Sequence, residues 1–148
     1  MNPYDMVREY MTSSIPFARH AGVRIDEIGD GTARATLPES ETGKNHIGTP
    51  HAGAVFTLGE TASGAALGGA LAPVLLESRP VAAEARISYL ALAKGELVAE
   101  AKTSIPGSEA LATLKSEGRV KFNVNVAITD ETGTLVNEMV VAWHVRKT

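Results

Sequence analysis

A single carboxylate, Glu60, interrupts a run of small and apolar residues that extends from 45 to 71. Asn45 and His51 precede it in the same run and carry side chains that can hydrogen-bond a ligand. Burying a carboxylate without a partner is costly, and burial shifts its pKa upward, toward that of a useful general base. Glu60 is therefore the leading candidate for a reactive group.

Each of these residues also has a structural interpretation. A lone Glu in a helix is most often solvated at the surface, although the Ala, Gly, Val, Phe and Leu residues around Glu60 argue against that here. His51 lies where a helix would begin and could bond a nearby carbonyl. Asn45 could hold a turn in the preceding loop. Sequence alone leaves these alternatives open.

Composition excludes several other classes of site. The chain has 14 Lys and Arg against 17 Asp and Glu, a net charge of -3, and no basic block for a phosphate backbone, so we expect no nucleic-acid partner. The absence of cysteine excludes disulfides, thiolate nucleophiles and thiolate metal sites. The His and Glu residues do not follow a metal-binding spacing such as H-E-x-x-H, so we expect no metal and no cofactor.

The N-terminus and the apolar run bear on location. Asp5, Arg8 and Glu9 stand where a signal peptide would need an uninterrupted apolar stretch. Residues 51–71 have the length of a membrane span, but they contain His, Glu, Thr and Ser among many Ala and Gly residues. We therefore expect a cytoplasmic protein without a membrane span, in which this segment is a long helix buried in protein.

Period-two alternation of apolar residues predicts strands in much of the remaining chain. VRIDEIG should pair with TARATLPE across GDG, and VAAEARISYLALA with ELVAEAKTS across Lys94-Gly95. RVKFNVNVAIT and TLVNEMVVAWHVRK, joined by the turn DETG, predict a hairpin over 119–146. Its second strand should face inward with Leu135, Met139, Val141, Trp143 and Val145.

The remaining elements complete a fold class. Asn2 and Pro3 predict the cap and first residue of a short N-terminal helix, and IPGSEALATLKSEG predicts a short helix or a flap. The order is then short helix, hairpin, long buried helix and four strands. One curved antiparallel sheet of about six strands, wrapped around one long central helix, accommodates this order, so we expect a single α+β domain over 1–148.

The block NHIGTPHAGAVFTLGETASG, preceded by IPFARHAGVRIDEIGDGTARATLP and followed by ISYLALAKGELVAEA, resembles the hotdog-fold acyl-CoA thioesterases of the PaaI-like family. The resemblance covers nearly the whole chain. That family carries an Asn, then a His six residues later followed by one or two Gly, then an Asp or Glu nine residues after the His. Asn45, His51 and Glu60 match in type and spacing, with Ala52 and Gly53 after the His.

The resemblance implies hydrolysis of an acyl-CoA thioester, with coenzyme A as part of the substrate. Glu60 would activate water or attack the carbonyl itself to form an anhydride. The Ala52 amide, assisted by Gly53, would form the oxyanion hole, Asn45 would orient the water or carbonyl, and His51 is a catalytic candidate by its match to the motif. Glu60 lies roughly 12 Å along the axis from the helix start, so one helix cannot bring both to one carbonyl. The implied site therefore needs a homodimer.

The resemblance also implies five residues that contact the substrate. Phe56 would line a tunnel for the acyl group, and the hydroxyls of Thr61 and Ser63 would position the reacting groups. Arg86 and Lys94 could meet the phosphates of coenzyme A. Surface charge is the simpler interpretation of the two basic residues. The small residues of GAALGGAL would allow close packing of paired helices or leave room for an acyl chain. A tetramer of two dimers is common in the resembled family and is expected here.

Two other functions remain open. The first is a hotdog hydratase or dehydratase that acts on an acyl chain. His46 and Glu60 are fourteen residues apart, an interval that resembles that of the acyl-carrier-protein dehydratases. Those enzymes have Phe-Pro-Gly after the His, whereas this chain has Ile47-Gly48. The second alternative is a non-catalytic acyl-CoA binding protein. It is favoured by Ala82, which stands where some relatives carry a Ser, and is opposed by the retention of Glu60.

Overall fold

The structure, a computed structural model, describes all residues from 1 to 148. It contains four α-helices, six strands and two short 3-10 helices. In chain order the helices and strands are α1 (Pro3–Ser14), α2 (Pro16–Ala21), β1 (Arg24–Gly29), β2 (Thr32–Leu37), α3 (Ala52–Ala70), β3 (Ser78–Tyr89), β4 (Leu97–Thr103), α4 (Gly107–Glu117), β5 (Arg119–Thr129) and β6 (Leu135–Lys147).

The six strands form one antiparallel sheet in the order β1-β2-β4-β5-β6-β3, and α3 packs against its inner face. This confirms the predicted architecture of a six-stranded sheet with a central helix and a short N-terminal helix. The sheet buries alternate residues, and the core joins those side chains to the apolar residues of α3. The active-site candidates on α3 are therefore held by the centre of the fold.

The predicted pairing of the strands on either side of Lys94-Gly95 is wrong. β4 lies between β2 and β5, whereas β3 pairs only with β6 at the far edge of the sheet. In β4, buried residues alternate with more exposed ones because one face of the strand packs against α3, but β3 is exposed along almost its whole length. The connection after β3 therefore crosses the sheet, and the outer edge of β3 is left unpaired.

Small residues let α3 pass close to its neighbours. At Gly69, a Cβ would overlap the carbonyl oxygen of Gly29 at the end of β1, and at Gly59 it would overlap the sulfur of Met139. At Gly68 a Cβ would press on Val7 of α1. These three glycines therefore allow close packing of α3 within the chain, and the expected packing between paired helices stays a prediction.

The two ends of the chain fold as predicted, with one difference at Leu135. The Asn2 side chain accepts a hydrogen bond from the amide of Asp5, 2.9 Å away, which caps α1 as predicted. The hairpin of β5 and β6 is also confirmed, but Leu135 is exposed because a register shift at its closed end turns Val136 inward instead.

The short helix α2 was not predicted. Residues 107–117 form the helix α4 rather than a flap.

None of the four helices is both long enough and apolar enough to cross a bilayer. α3 is the longest helix, and most of it is buried against the sheet and α1.

Candidate active site

Glu60 lies on the third turn of α3, and its side chain is half-buried. Burial raises the pKa of the Glu60 carboxyl above its usual value, and desolvation is the sole cause of the shift. No charged neighbour compensates for this desolvation. The carboxylate is therefore a stronger base than an exposed glutamate and is free to act on a ligand.

Glu60 faces a cavity of about 300 Å³ that lies between α1, α3 and the strands β3 and β6. α1 contributes Tyr10 and Met11 to the wall, α3 contributes Leu67, and β6 contributes the indole of Trp143. Glu60 is the one charged residue among the lining side chains. The cavity thus joins one base to a mainly apolar space, which is the usual character of a small-molecule site.

A larger concavity of about 790 Å³ lies on the outer face of the sheet, but α3 contributes nothing to it. It is bordered by exposed charged side chains, including Arg34 and Glu27, which form a salt bridge of 3.4 Å. Every charged residue that lines it is exposed. The smaller cavity at Glu60 is therefore the better candidate for chemistry.

The hydroxyl of Thr61 has no hydrogen-bond partner in the protein, although the residue is only 2% exposed. Thr61 lines the same cavity as Glu60. A buried hydroxyl is normally paired, so a ligand atom or a water molecule is needed to satisfy it. Thr61 and Glu60 therefore bring an unpaired hydroxyl and a base to one cavity.

The hydroxyl of Ser63, which is expected among the substrate-binding residues, is engaged within the chain. It donates to the carbonyl of Glu60 at 2.7 Å and accepts the indole N–H of Trp143 at 3.2 Å. The residue is fully buried. Ser63 therefore holds the ring of Trp143 in place. The two residues are far apart in the sequence, so the sequence pattern gives no sign of this bond.

Of the two backbone donors expected at the start of α3, one is free and one is bonded within the chain. His51 is the N-cap, and its Nδ1 accepts the amide of Gly53 at 2.8 Å. The amide of Ala52 makes no hydrogen bond in the chain, and the residue is exposed. The Gly53 donor is thus already used by His51, which leaves Ala52 as the available amide at this position.

Asn45 holds the loop that leads into α3. Its side-chain oxygen accepts the amides of Ile47 and Thr49 at 3.1 and 3.0 Å, and its amide nitrogen donates to the Thr49 hydroxyl at 2.8 Å. These bonds match the structural interpretation of Asn45 as a turn residue. They leave one N–H of the side-chain amide for any contact with substrate.

Tyr89 is a residue at the helix start that the sequence did not single out. It ends β3, and its hydroxyl donates to the carbonyl of Ala52 at 3.3 Å. An aromatic residue at the end of a strand matches no motif, so no sequence signal marked it.

Phe56, which is expected in the acyl tunnel, packs against the hydrophobic core and is not among the residues that line the Glu60 cavity.

The two basic candidates lie apart from the cavity wall. The Arg86 side chain is 83% exposed on β3, with its nearest carboxylate, Glu84, 4.0 Å away. Lys94 lies in the connection between β3 and β4, and its backbone amide donates to the Asp130 carboxylate at 3.0 Å. Neither side chain is held in a fixed position by a buried partner.

The candidates thus form two groups along α3. Glu60 and Thr61 lie at the cavity, whereas His51, Ala52 and Gly53 lie at the helix start, roughly 12 Å away along the axis. One chain therefore does not bring the base and the free Ala52 amide to a single carbonyl.

Residues 5–145 match the family model described as "Domain of unknown function (DUF4442)". No curated protein matches the sequence of this chain.

Solved structures of thioesterase-family proteins have the same fold. A Pseudomonas aeruginosa protein of unknown function, described as a probable thioesterase, is 24% identical, with 97% of this chain and 95% of that chain covered and a TM-score of 0.82. The PaaI protein of the E. coli phenylacetic acid degradation operon is 18% identical, with 99% and 94% covered and a TM-score of 0.78. A hypothetical thioesterase from Streptococcus pneumoniae with coenzyme A is 20% identical, with 93% and 98% covered and a TM-score of 0.71. These likenesses show the fold, which is the hotdog fold expected from the sequence.

Proposed function

The chain belongs to the DUF4442 family, and from this premise and the geometry around Glu60 we propose that it hydrolyses acyl-CoA thioesters to a free acid and coenzyme A. The observation that carries the proposal is the single carboxylate in the cavity wall, whose pKa is raised by burial alone. The names of the structural neighbours support a thioesterase, and one of them is described with coenzyme A.

Thioester hydrolysis needs a base for water and a donor for the oxyanion. Glu60 takes a proton from water as the water oxygen attacks the carbonyl carbon. Negative charge then develops on the carbonyl oxygen, where the free amide of Ala52 and the dipole of the helix start stabilise it. The C–S bond breaks, and the sulfur leaves as the thiol of coenzyme A after taking up the proton that Glu60 removed from water. Direct attack by Glu60, through an anhydride that water then hydrolyses, is the second route.

Some relatives in the resembled family carry a Ser on the strand after the central helix, at the position of Ala82, and Thr61 on α3 offers this chain a different hydroxyl. Ala82 lacks that hydroxyl, and its strand position pairs with Trp143. The unpartnered hydroxyl of Thr61 lies beside Glu60 and can orient the attacking water or the carbonyl. The loop bonds of Asn45 and the cap of His51 set the position of the helix start, and Asn45 retains one N–H for the substrate.

The proposal includes a homodimer, because the base and the free amide are separated along one helix. β3 supplies a surface for it: its outer edge is unpaired, and Val81, Tyr89 and Leu90 are all more than half exposed. A long unpaired edge with exposed apolar residues is a site for pairing with another chain. Two sheets joined at β3 would place the helix start of one subunit near Glu60 of its partner, and two such dimers would form a tetramer.

Coenzyme A would lie outside the apolar cavity. Its phosphates require cations, and the side chain of Arg86 extends freely from β3 near the proposed subunit boundary. Lys94 is a second cation in the connection that follows β3. These contacts orient the substrate, while the acyl group enters the cavity.

The experiment that tests this function is release of free thiol from a panel of aryl, medium-chain and long-chain acyl-CoAs. The chain has no cysteine, so the protein contributes no thiol background. We expect turnover of at least one class. A 2-enoyl-CoA is included as a control, because consumption of its double bond without thiol release would identify the hydratase alternative. Tight binding of acyl-CoA with no chemical change would contradict hydrolysis and identify a binding protein.

A further inference from the structure

A row of arginine side chains lies on the outer face of the sheet, where β3, β6 and β5 are neighbours. Arg146 of β6 is directly opposite Arg119 of β5 on one side and Arg79 of β3 on the other. Residues opposite each other in register share a face of the sheet, and all three are exposed. The row is therefore about 10 Å long, because neighbouring strands lie ~4.8 Å apart.

A second basic row lies beside the first. Two residues along the strands, Lys121 of β5 is opposite His144 of β6, and both are exposed on the same outer face. The two rows are roughly 7 Å apart, since a strand rises about 3.4 Å per residue. These residues are called the basic cluster below: Arg79, Arg119, Lys121, His144 and Arg146.

The positive charges of the basic cluster have no partner in the chain. Neither its three arginines nor Lys121 takes part in a salt bridge. At the other end of the outer face, in contrast, Arg34 pairs with Glu27. Within β3, β5 and β6 the nearest acidic residue is Glu84, one row beyond the cluster and 4.0 Å from Arg86. Unpaired cations thus stand together on a chain whose net charge is -3.

The position of the basic cluster next to the edge of β3 brings it close to the Glu60 cavity. Ser78 and Pro80, on either side of Arg79 in the chain, both line that cavity. Leu76 precedes them in the segment between α3 and β3, and it is 75% exposed. A surface that binds the cluster therefore also meets an exposed apolar side chain and the rim of the cavity.

From these observations we propose that the basic cluster binds the surface of a bilayer that contains anionic lipids. Each Lys or Arg close to such a surface raises affinity roughly fivefold, and an apolar side chain beside the cations can enter the headgroup region. The acidic residues elsewhere in the chain oppose this only weakly, because salt at 0.1 M screens charges beyond about 10 Å. Bound in this way, the chain holds the rim of the Glu60 cavity at the membrane.

Other partners for the basic cluster fit the outer face less well. Single-stranded nucleic acid stacks its bases on aromatic side chains, but Phe122 and Trp143, between the two rows, are buried on the inner face. A symmetric contact between two copies through this face would bring the cluster against itself. An acidic protein offers the same charge as a lipid surface, so the experiment must distinguish these two.

Cosedimentation with vesicles tests the proposal on the intact chain. Vesicles of phosphatidylcholine mixed with phosphatidylglycerol should bind the protein, and vesicles of phosphatidylcholine alone should not. Raising the salt concentration from about 0.1 M to about 1 M shortens the screening length from about 10 Å to about 3 Å and should release the protein. The measurement is of binding, so its outcome does not depend on whether the chain hydrolyses acyl-CoA.

Two double variants with the same change of net charge identify the surface that binds. Arg119→Gln with Lys121→Gln removes two cations of the basic cluster and should weaken vesicle binding about 25-fold, at roughly fivefold for each charge. Arg34→Gln with Lys102→Gln is the matched control, because both residues are exposed on the outer face toward its other end. The control should bind like the wild type. Circular dichroism should show folded protein for both, since all four side chains are exposed.

The outcomes separate this proposal from its alternative and from the proposed hydrolysis. Absence of binding to the phosphatidylglycerol vesicles, or equal binding by the two double variants, would overturn it. Binding to poly-L-glutamate but not to these vesicles would overturn the lipid assignment and identify an acidic protein as the partner. Thiol release in the absence of vesicles should be the same in Arg119→Gln with Lys121→Gln as in the wild type, whichever result the vesicles give.

Discussion

At the scale of single residues, the proposed function would explain why one carboxylate stands in an apolar helix. Nothing in the chain neutralises Glu60, so its burial costs stability and raises its pKa. Thr61 adds a second unsatisfied group to the same cavity. Polar groups left without partners in a native structure need an explanation, and a substrate that uses both provides one.

At neutral pH, the buried negative charge of Glu60 should lower the free energy of unfolding relative to a protein with a neutral residue at this position. The folded-state pKa of Glu60 lies above the usual value of 4.5. The contribution of Glu60 to folding stability is therefore fully present below pH 4.5. It is lost as the pH rises through the folded-state pKa, because the buried carboxyl then ionises. Glu60→Gln removes this loss. The melting temperature of the variant should exceed that of the wild type at pH 7 and above, by roughly 2–4 °C per kcal/mol of relieved charge burial.

Thermal unfolding of the two proteins across a pH series measures this effect. The difference in melting temperature should be smallest below pH 4.5 and should grow as the pH rises. Glu100→Gln on β4 is the control, because that side chain is exposed and its removal should give no such trend. A constant difference between wild type and Glu60→Gln at all pH values would show that Glu60 is not desolvated.

At the scale of elements, local patterns predicted most of the helices and strands. Alternation in β5 and β6 and the Asn2-Pro3 cap depend on neighbouring residues, so the sequence is enough to locate them. The partner of β3 is different. A short connection favours a hairpin with β4, but the sheet places β4 between β2 and β5, and that choice depends on burial across the whole fold.

The candidate site shows the same limit. Spacing identified Glu60 and the start of α3, because both belong to one helix. The Ser63–Trp143 hydrogen bond and the wall of the Glu60 cavity join α3 to α1 and β6, and no local pattern reports such contacts. The bond from His51 to Gly53 also changed the expected donors, since it uses one of the two amides predicted for the oxyanion hole.

The start of α3 gives a test of the remaining donor. Ala52 is the first helical residue, where proline is well tolerated, and His51 has the extended conformation that a following proline requires, with φ -66° and ψ 138°. Ala52→Pro therefore removes the N–H with little change to the helix. We expect kcat to fall about 10²- to 10³-fold, as for loss of one oxyanion donor.

Ala52→Gly is the matched control, because it alters the side chain and keeps the donor. Its rate should stay close to that of the wild type, and circular dichroism should show folded protein for both variants. Equal rates for Ala52→Pro and Ala52→Gly would exclude the Ala52 amide from the reaction.

At the scale of the whole molecule, the separation of Glu60 from the free amide makes the proposed activity depend on association. A single chain has a complete core, but β3 remains exposed at the edge of its sheet. A symmetric dimer through this edge would complete two sites at once. The proposed dimer would thus give β3 a functional role beside its structural one.

Substitution on β3 should therefore weaken both association and activity. Val81 is 54% exposed on β3, and Val81→Lys adds a charge to the proposed interface. We expect sedimentation velocity to show a shift toward monomer, and activity per chain to fall on dilution. Leu135→Lys, at a 39% exposed leucine that begins β6 and pairs with Thr129 rather than β3, should leave both unchanged. A fully active Val81→Lys monomer would contradict a site shared between subunits.

The most direct test of the account is the ratio of kcat/KM between the wild-type protein and Glu60→Gln, measured by thiol release from the best acyl-CoA of the panel. Both proteins are compared at equal dimer content, so that loss of association cannot imitate loss of chemistry. Removal of a general base typically lowers a rate about 10²- to 10⁴-fold, and we predict a decrease within that range. A kcat/KM within a fewfold of the wild-type value would contradict the assignment of Glu60 as the reacting carboxylate.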